Sequence, residues 1–141
     1  MFKSFQIKFD ARFKEPIRRA EKVSTIRGIS SMLMDAQIGD EVVLMFPYLD
    51  DYVKEFNAGI DRVHRVRVYP YLREVHFFID FLETWIPVSK KEALIKIAQR
   101  EGFSGVGEFF MYFEDKCIGS NHYEGVMVFW TDLKGFENVS H

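Results

Sequence analysis

The chain has 141 residues, of which 48% are hydrophobic and 28% are charged, and its formal net charge is −2 at pH 7. This composition excludes intrinsic disorder and predicts one compact domain, over residues 1–141, that can bury a sizeable core. No apolar run approaches the roughly 20 residues of a transmembrane helix, and the N-terminal residues alternate polar and apolar side chains, unlike a signal peptide. The sequence therefore predicts a cytoplasmic protein with no membrane partner.

The N-terminal half alternates between strand and helix signals. Its predicted elements, in chain order, are a strand over residues 2–9, a short helix with Phe13 and Ile17 on one face, an extended segment over residues 23–27 and a strand over residues 41–46. Residues 47–61 are acidic and contain Gly59, a residue type that commonly ends helices. We therefore expect them to form a loop or a short helix.

The C-terminal half predicts two strands, two helices and a closing strand. These elements are strands over residues 62–69 and 74–81, a helix from Ser89 to Gly102, a helix that begins near Ser104 and Glu108, and a strand over residues 126–130. Ser89 and Glu92 have the spacing of a capping box. The aromatic residues of the second helix are expected in the core. Together the elements predict an α+β fold.

The single cysteine, Cys117, cannot form an internal disulfide. No cysteine and histidine residues stand at the spacing of zinc ligands, so the sequence predicts no metal and no cofactor. We interpret Cys117 as an inert thiol near a helix end rather than as a nucleophile.

Positive charge is concentrated at the start of the chain. Residues 1–27 contain eight Lys and Arg residues and three acids, a balance of +5, so the remainder carries −7. This asymmetry would steer an anionic ligand such as a nucleotide or RNA to the basic end, although a solvated helix face produces the same pattern. Arg62, Arg65 and Arg67, with His64, either extend that surface or are strand neighbours with long side chains.

The leading candidate site is a Lys-x-x-Thr-x-Arg run formed by Lys22, Thr25 and Arg27. If residues 23–27 are extended, Thr25 and Arg27 share one face, and Lys22 lies at the mouth of the preceding turn. An amine, a hydroxyl and a guanidinium are then close together. Taken alone, the same run is typical of solvated charges around an ordinary strand threonine.

Three separated segments of the chain resemble the ASCH domain family, small PUA-like β-barrel proteins linked to RNA and nucleotide chemistry. They are Phe9-x-x-Arg12-Phe13-x-x-x-Ile17 leading into Lys22-x-x-Thr25-Ile26-Arg27, the turn and strand at Gly39-Asp40-Glu41-Val42, and Ala98-x-x-Glu101-Gly102-Phe103-Ser104 followed by Glu108-Phe109-Phe110. With the closing strand over residues 126–130 they cover most of the chain. The resemblance implies a single closed or nearly closed PUA-like barrel of about five to six strands with flanking helices.

Within this family the motifs are closest to the acetylcytidine amidohydrolase type. The resemblance implies that Lys22 is a base, Thr25 a nucleophile and Glu101 a proton donor, although Glu101 by itself has the position of a solvated acid at a helix end. Arg27 as a stabiliser of the oxyanion is our own hypothesis. The chain departs from this type in its greater length and in Ala20-Glu21, where the family usually has a glycine before the lysine.

Two functions remain open at this point. In the first, the domain binds RNA or a modified nucleoside in a groove edged by Lys22, Arg27, Arg12 and Arg65. In the second, it is a small metal-independent amidohydrolase that cleaves an N-acylated nucleoside such as acetylcytidine. Lys22, Thr25 and Glu101 would then meet in one solvent-accessible pocket, with the Lys22 nitrogen roughly 3 to 4 Å from the Thr25 hydroxyl. The sequence leaves the oligomeric state unknown.

Overall fold

The computed structural model describes residues 2–136 as an α+β fold built around a seven-stranded sheet, which confirms the predicted fold class. The strands are β1 (Ser4–Lys8), β2 (Ser24–Gly28), β3 (Glu41–Tyr48), β4 (Asp51–Tyr69), β5 (Glu74–Ile79), β6 (Thr84–Val88) and β7 (Tyr123–Gly135). The helices are α1 (Lys14–Arg18), α2 (Lys91–Arg100) and α3 (Val106–Glu114), with 3-10 turns at Ala11–Phe13, Met32–Asp35 and Asp80–Leu82. No helix in this part of the chain is long and apolar enough to cross a membrane.

The sheet is organised around β4, which is 19 residues long. Its antiparallel partners are β3 near its start, β7 along most of its length and β5 at its end. The parallel strand β1 joins β3, while β6 joins β5 and β2 joins β7. Within residues 2–136, β1 and β2 do not pair with each other, so the sheet is open. The expected closed barrel of five to six strands is thus corrected to an open sheet of seven.

Cationic side chains occupy the gap between β1 and β2, which we call the seam. Arg27 Nη2 donates a hydrogen bond to the backbone carbonyl of Lys8 at 2.8 Å, and Lys22 Nζ donates to that of Ser24 at 2.7 Å. Each backbone acceptor would otherwise need a neighbouring strand or water. The open sheet therefore places two charged side chains of the predicted site at its break.

The core under the sheet is rich in aromatic rings. Phe9 stacks on Phe46 with the ring centroids 5.7 Å apart, and Trp130 meets Phe9 edge-on at 6.0 Å. The three phenylalanines of α3 are buried, as the sequence predicted; they are Phe109, Phe110 and Phe113. Each buried ring stabilises the fold by about 2 to 3 kcal/mol relative to an exposed one.

The prediction for residues 47–61 is wrong, because these residues form a β-hairpin and the first half of β4. Tyr48 pairs with Asp51, so Leu49 and Asp50 make the turn. Leu49 has a φ of 58°, a left-handed conformation that glycine or asparagine usually adopts. The turn therefore lacks its usual residue signal, and Gly59 lies inside the strand.

Two local predictions near α2 also fail. No strand was predicted for residues 84–88, which form β6. This is an edge strand, so the missing N–H of Pro87 is tolerated there. The capping box does not form, because α2 begins after Lys90 and has no side-chain hydrogen bond at its N-cap. Ser89 lies one residue too early to cap it.

Candidate functional site

A cavity of about 250 Å³ opens at the seam. It lies between the end of β1, the strand β2, the residue that follows α2, the end of α3 and the start of β7. Lys22, Thr25, Arg27 and Glu101, all predicted from the sequence, contribute to its wall. The full lining comprises Lys8, Phe9, Asp10, Phe13, Lys22, Thr25, Ile26, Arg27, Glu101, Tyr112, Phe113, Lys116 and Tyr123.

Lys22 is almost completely buried, with 2% of its surface exposed. Its Nζ donates hydrogen bonds to the backbone carbonyls of Ser24 at 2.7 Å and Glu101 at 2.6 Å, and it lies 4.7 Å from the centre of the Phe13 ring. Burial lowers the pKa of Lys22 from 10.5 to about 8; Glu101 opposes this shift and Arg27 adds to it. The two carbonyls accept from two N–H groups of the nitrogen. The charged form then has a third N–H, and the neutral form a lone pair, for a partner in the cavity.

Two chain turns hold Lys22 in place. After α1, Ala20 has a φ of 60°, and the backbone N–H groups of Glu21 and Lys22 both donate to the carbonyl of Pro16. On the other side, Gly102 has a φ of 89°, and a Cβ built on it would lie 2.8 Å from Lys22 Cδ. The stem of Lys22 thus packs directly against the backbone of Gly102, where only glycine fits without displacement.

Glu101 is the C-cap of α2 and is 2% exposed. Its carboxylate accepts a short hydrogen bond from the hydroxyl of Ser24, a residue with no exposed surface. Sequence reasoning missed Ser24. It is next to Thr25 on β2 and therefore points to the opposite face, so neither spacing nor residue type connects it to Glu101. Together the Ser24 side chain and the Lys22 amine tie Glu101 to β2.

Thr25 is 5% exposed, and its hydroxyl accepts a hydrogen bond from Arg27 Nε at 3.2 Å. Burial lowers the pKa of Arg27, whose guanidinium also lies 4.8 Å from the centre of the Phe9 ring. Among the hydrogen bonds of residues 2–136, none joins Lys22 to Thr25. Thr25 and Arg27 share a strand face, whereas Lys22 precedes the strand and turns its amine along the strand edge.

Comparisons with known proteins do not identify a relative. No family model matches this chain, and no curated protein or solved structure matches it. The family remains a prediction.

Arg12 and Arg65, the other two predicted binding residues, do not line the cavity. The Arg12 guanidinium lies 4.6 Å from the centre of the Phe13 ring and pairs with Glu108 at 3.9 Å. Arg65, on β4, pairs with Glu124 at 3.3 Å. The structure therefore brings together four of the six predicted residues and places two elsewhere on the surface.

The cavity also contains polar groups that the sequence analysis did not select. Tyr112 and Tyr123 add two phenol rings, and burial raises the pKa of Tyr123. At the wall, Lys116 Nζ lies 4.7 Å from the centre of the Tyr112 ring. Tyr112 stands within the apolar stripe of α3, so its sequence pattern predicts only a core residue. Only the packing of α3 beside the seam gives it a place in the cavity.

Cys117, the single cysteine of the chain, is not activated as a nucleophile. Burial raises the pKa of the Cys117 thiol, whose Sγ donates to the carbonyl of Phe113 at 3.2 Å. A nucleophilic cysteine has the opposite shift. Within residues 2–136, no three His, Cys, Asp or Glu side chains come together as a metal site would require.

The arrangement suits a small planar ligand with a polar edge. Drug-sized ligands occupy pockets of about 300 to 1,000 Å³, so this cavity can enclose one ring system rather than a polymer. Its aromatic walls offer stacking surfaces, and the buried amine, guanidinium, hydroxyl and carboxylate offer both hydrogen-bond donors and acceptors.

Proposed function

We propose that this chain is an ASCH-type protein whose cavity binds a nucleoside-sized ligand, either a modified nucleoside or a single base of an RNA. One observation carries the proposal: Lys22, Thr25, Arg27 and Glu101 surround one aromatic-walled cavity of about 250 Å³. Proteins recognise unpaired bases by stacking on their faces and by hydrogen bonds to their edges. The cavity has groups for both.

Amide hydrolysis on an N-acylated nucleoside is the second candidate, and the state of Lys22 favours it. With a pKa of about 8, roughly one Lys22 in ten is neutral at pH 7, whereas an ordinary lysine almost never is. A neutral amine has a lone pair and can act as a base. Lys22 and Thr25, whose hydroxyl such a base would activate, both line this cavity.

The reaction would proceed through an ester on Thr25. Thr25 Oγ1 attacks the acyl carbonyl while Lys22 takes its proton, and Arg27, which already donates to Thr25 Oγ1, stabilises the developing oxyanion. Glu101, the proton donor that the resemblance implies, protonates the departing exocyclic amine. Water then hydrolyses the acyl-threonine, giving one proton to Glu101 while Lys22 returns its proton to Thr25 Oγ1. For the first step, the lone pair of neutral Lys22, which neither carbonyl partner occupies, must reach Thr25 Oγ1 when the substrate binds.

Replacing Thr25 with valine separates the two candidates. We expect Thr25→Val to abolish acetate release from acetylcytidine, because valine has no nucleophilic oxygen, while nucleoside binding weakens by less than about tenfold, the loss of one neutral hydrogen bond. Binding is measured by titration calorimetry with cytidine, uridine and acetylcytidine, and acetate release by chromatography.

The matched control is Thr131→Val, which changes an exposed threonine of β7. It should leave both binding and hydrolysis unchanged. Acetate release that survives Thr25→Val would refute the nucleophile, and failure of the unaltered chain to bind any nucleoside would refute the proposed function.

A further inference from the structure

Aromatic and arginine side chains alternate on one face of β4, β5 and β6, away from the cavity. Arg65, Arg67 and Tyr69 share this face of β4 because their positions differ by two. Arg67 pairs with His76 of β5, and Phe78 of β5 pairs with Trp85 of β6. We call these six residues the platform: Arg65, Arg67, Tyr69, His76, Phe78 and Trp85.

The platform side chains pack against one another rather than extend into solvent. The Arg67 guanidinium lies 4.0 Å from the centre of the Trp85 ring, and the Arg65 guanidinium lies 5.2 Å from that of Phe78. The Phe78 and Trp85 rings are 5.3 Å apart, and the rings of Tyr69 and His76 are 4.3 Å apart. Their planes are thus ordered before any partner binds, which lowers the entropy cost of binding.

The platform is also accessible to solvent. The side chains of Arg65 and Arg67 are 47% and 31% exposed, and Phe78 and Trp85 are half-buried. The second tryptophan, Trp130, is 5% exposed and belongs to the core. Trp85, in contrast, lies on the edge strand of the sheet, so packing in the core does not explain its position.

Glu124 lowers the net charge of the platform and so affects which ligands the platform can bind. Its carboxylate accepts hydrogen bonds from Arg67 Nε at 2.7 Å and from Arg65 Nη2 at 3.3 Å, so one acid partly neutralises two guanidinium groups and fixes their orientation. The flat faces of the guanidinium groups and rings remain for stacking, while the net positive charge is small. Such a surface favours accessible base faces over phosphates alone, and those faces are exposed in single strands but hidden in duplexes.

We infer that the platform binds single-stranded nucleic acid by stacking its bases on Arg67, Trp85 and Phe78. The platform is separate from the cavity, because Glu124 and the cavity residue Tyr123 are consecutive in β7 and point to opposite faces of the strand. It binds the strand whether or not the cavity holds a nucleoside. Stacking has little sequence preference, since every base has a π face.

The test is the affinity of the full chain for a fluorescein-labelled dodecamer of uridylate, measured by anisotropy at low salt. Trp85→Ala and Arg67→Ala should each weaken binding about tenfold, and Trp85→Phe should retain most of it. The matched control is Arg18→Ala, which removes an exposed arginine that is also paired with a glutamate. That variant should bind as the unaltered chain does, and circular dichroism should show that each variant is folded.

Two further measurements locate the contact. In Trp130→Phe, Trp85 is the only remaining tryptophan, and its fluorescence should be quenched by the unlabelled dodecamer. Trp85→Ala should bind nucleosides in the cavity as the unaltered chain does, so a failed cavity proposal and a failed platform proposal are distinguishable. The platform proposal is overturned if the dodecamer does not bind, if a duplex of equal length binds as tightly, or if Trp85→Ala and Arg67→Ala have no effect. Self-association that depends on Trp85, without oligonucleotide binding, would overturn it in favour of a second copy of the chain.

Discussion

Burial disfavours the charged form of Lys22. Removing an ammonium from water costs several kcal/mol, and two backbone carbonyls with two aromatic rings only partly replace its hydration. The remaining cost appears as the pKa of about 8. Residues with strongly shifted pKa values are concentrated at functional sites. Lys22 is therefore the best residue at which to test the proposed site.

Lys22 should make stability depend on pH above neutrality. The folded chain loses the Lys22 proton near pH 8, whereas the unfolded chain keeps it up to about pH 10.5. Between these values the unfolded state binds more protons, so the free energy of unfolding gains a contribution that increases with pH, by at most roughly 3 kcal/mol. Urea unfolding across this range should show the contribution in the unaltered chain and not in Lys22→Met.

Lys96→Met is the matched control, because Lys96 is an exposed lysine of α2. It should keep the same pH dependence as the unaltered chain. A Lys22→Met variant with an unchanged pH profile would mean that the Lys22 ammonium is not desolvated as described.

Replacing Ala20 with glycine should stabilise the fold. Its φ of 60° at the end of α1 places Cβ close to the backbone, and its side chain is exposed and makes no compensating contact with the core. We expect Ala20→Gly to raise the free energy of unfolding by roughly 0.5 to 1 kcal/mol, measured by urea unfolding. Ala93→Gly, within α2, should have the opposite sign, because glycine in a helix interior is destabilising. Loss of stability in both variants would contradict the strained turn.

At the scale of elements, the site is a junction between the end of α2 and the start of β2. The N–H of Val23 donates to the carbonyl of Arg100 at 2.9 Å, next to the contacts of Lys22 and Ser24 with Glu101. Neither element makes the site alone. A shift of α2 relative to β2 would separate the Glu101 carboxylate from Ser24 and the Glu101 carbonyl from the Lys22 amine.

Gly102→Ala tests this junction. The added methyl group would meet Lys22 Cδ at 2.8 Å, and alanine is strained at a φ of 89°. We expect a loss of more than about 1 kcal/mol in the free energy of unfolding, together with weaker nucleoside binding, because Lys22 must move. Gly105→Ala is the matched control, since Gly105 has extended backbone and no atom within 4 Å of the added Cβ. Equal effects of the two substitutions would show that Gly102 does not position Lys22.

At the scale of the whole molecule, the charge asymmetry of the sequence is partly cancelled by folding. Lys14 pairs with Glu55 at 3.2 Å, and Arg12 pairs with Glu108 at 3.9 Å. Acids from the negative part of the chain therefore lie against the basic N-terminal part. Steering of an anionic ligand should be weaker than the +5 balance of residues 1–27 suggests.

Salt dependence should then distinguish the two kinds of ligand. An uncharged nucleoside in the cavity releases no counterions, so its binding should be nearly constant from about 50 to 300 mM salt. Binding of an oligonucleotide should weaken with salt, and the slope should fall by about one when a phosphate-contacting cation is removed. Arg12→Ala and Lys14→Ala measure whether those residues contribute, with calorimetry for nucleosides and anisotropy for oligonucleotides. Nucleoside binding that weakens steeply with salt would contradict the cavity assignment.

The sequence by itself determined the α+β class, most of the strands, both helices of the C-terminal half and the burial of the α3 phenylalanines, because these depend on the local period of apolar side chains. It also selected Lys22, Thr25, Arg27 and Glu101, which share a cavity in the structure. The hairpin at Leu49 was missed because its turn has no glycine or asparagine, and β6 was missed because it is a short edge strand that contains a proline.

Only the tertiary structure decided how the site is connected. The partnership of Ser24 with Glu101, the bonding of Lys22 to two backbone carbonyls and the placement of Tyr112 join residues far apart in the chain. Sequence spacing describes neighbours within one element, whereas these contacts depend on how α2 and α3 pack against β2. Within residues 2–136 the same packing leaves β1 and β2 unpaired with each other and opens the cavity between them. No local pattern in either strand predicts whether the other will pair with it.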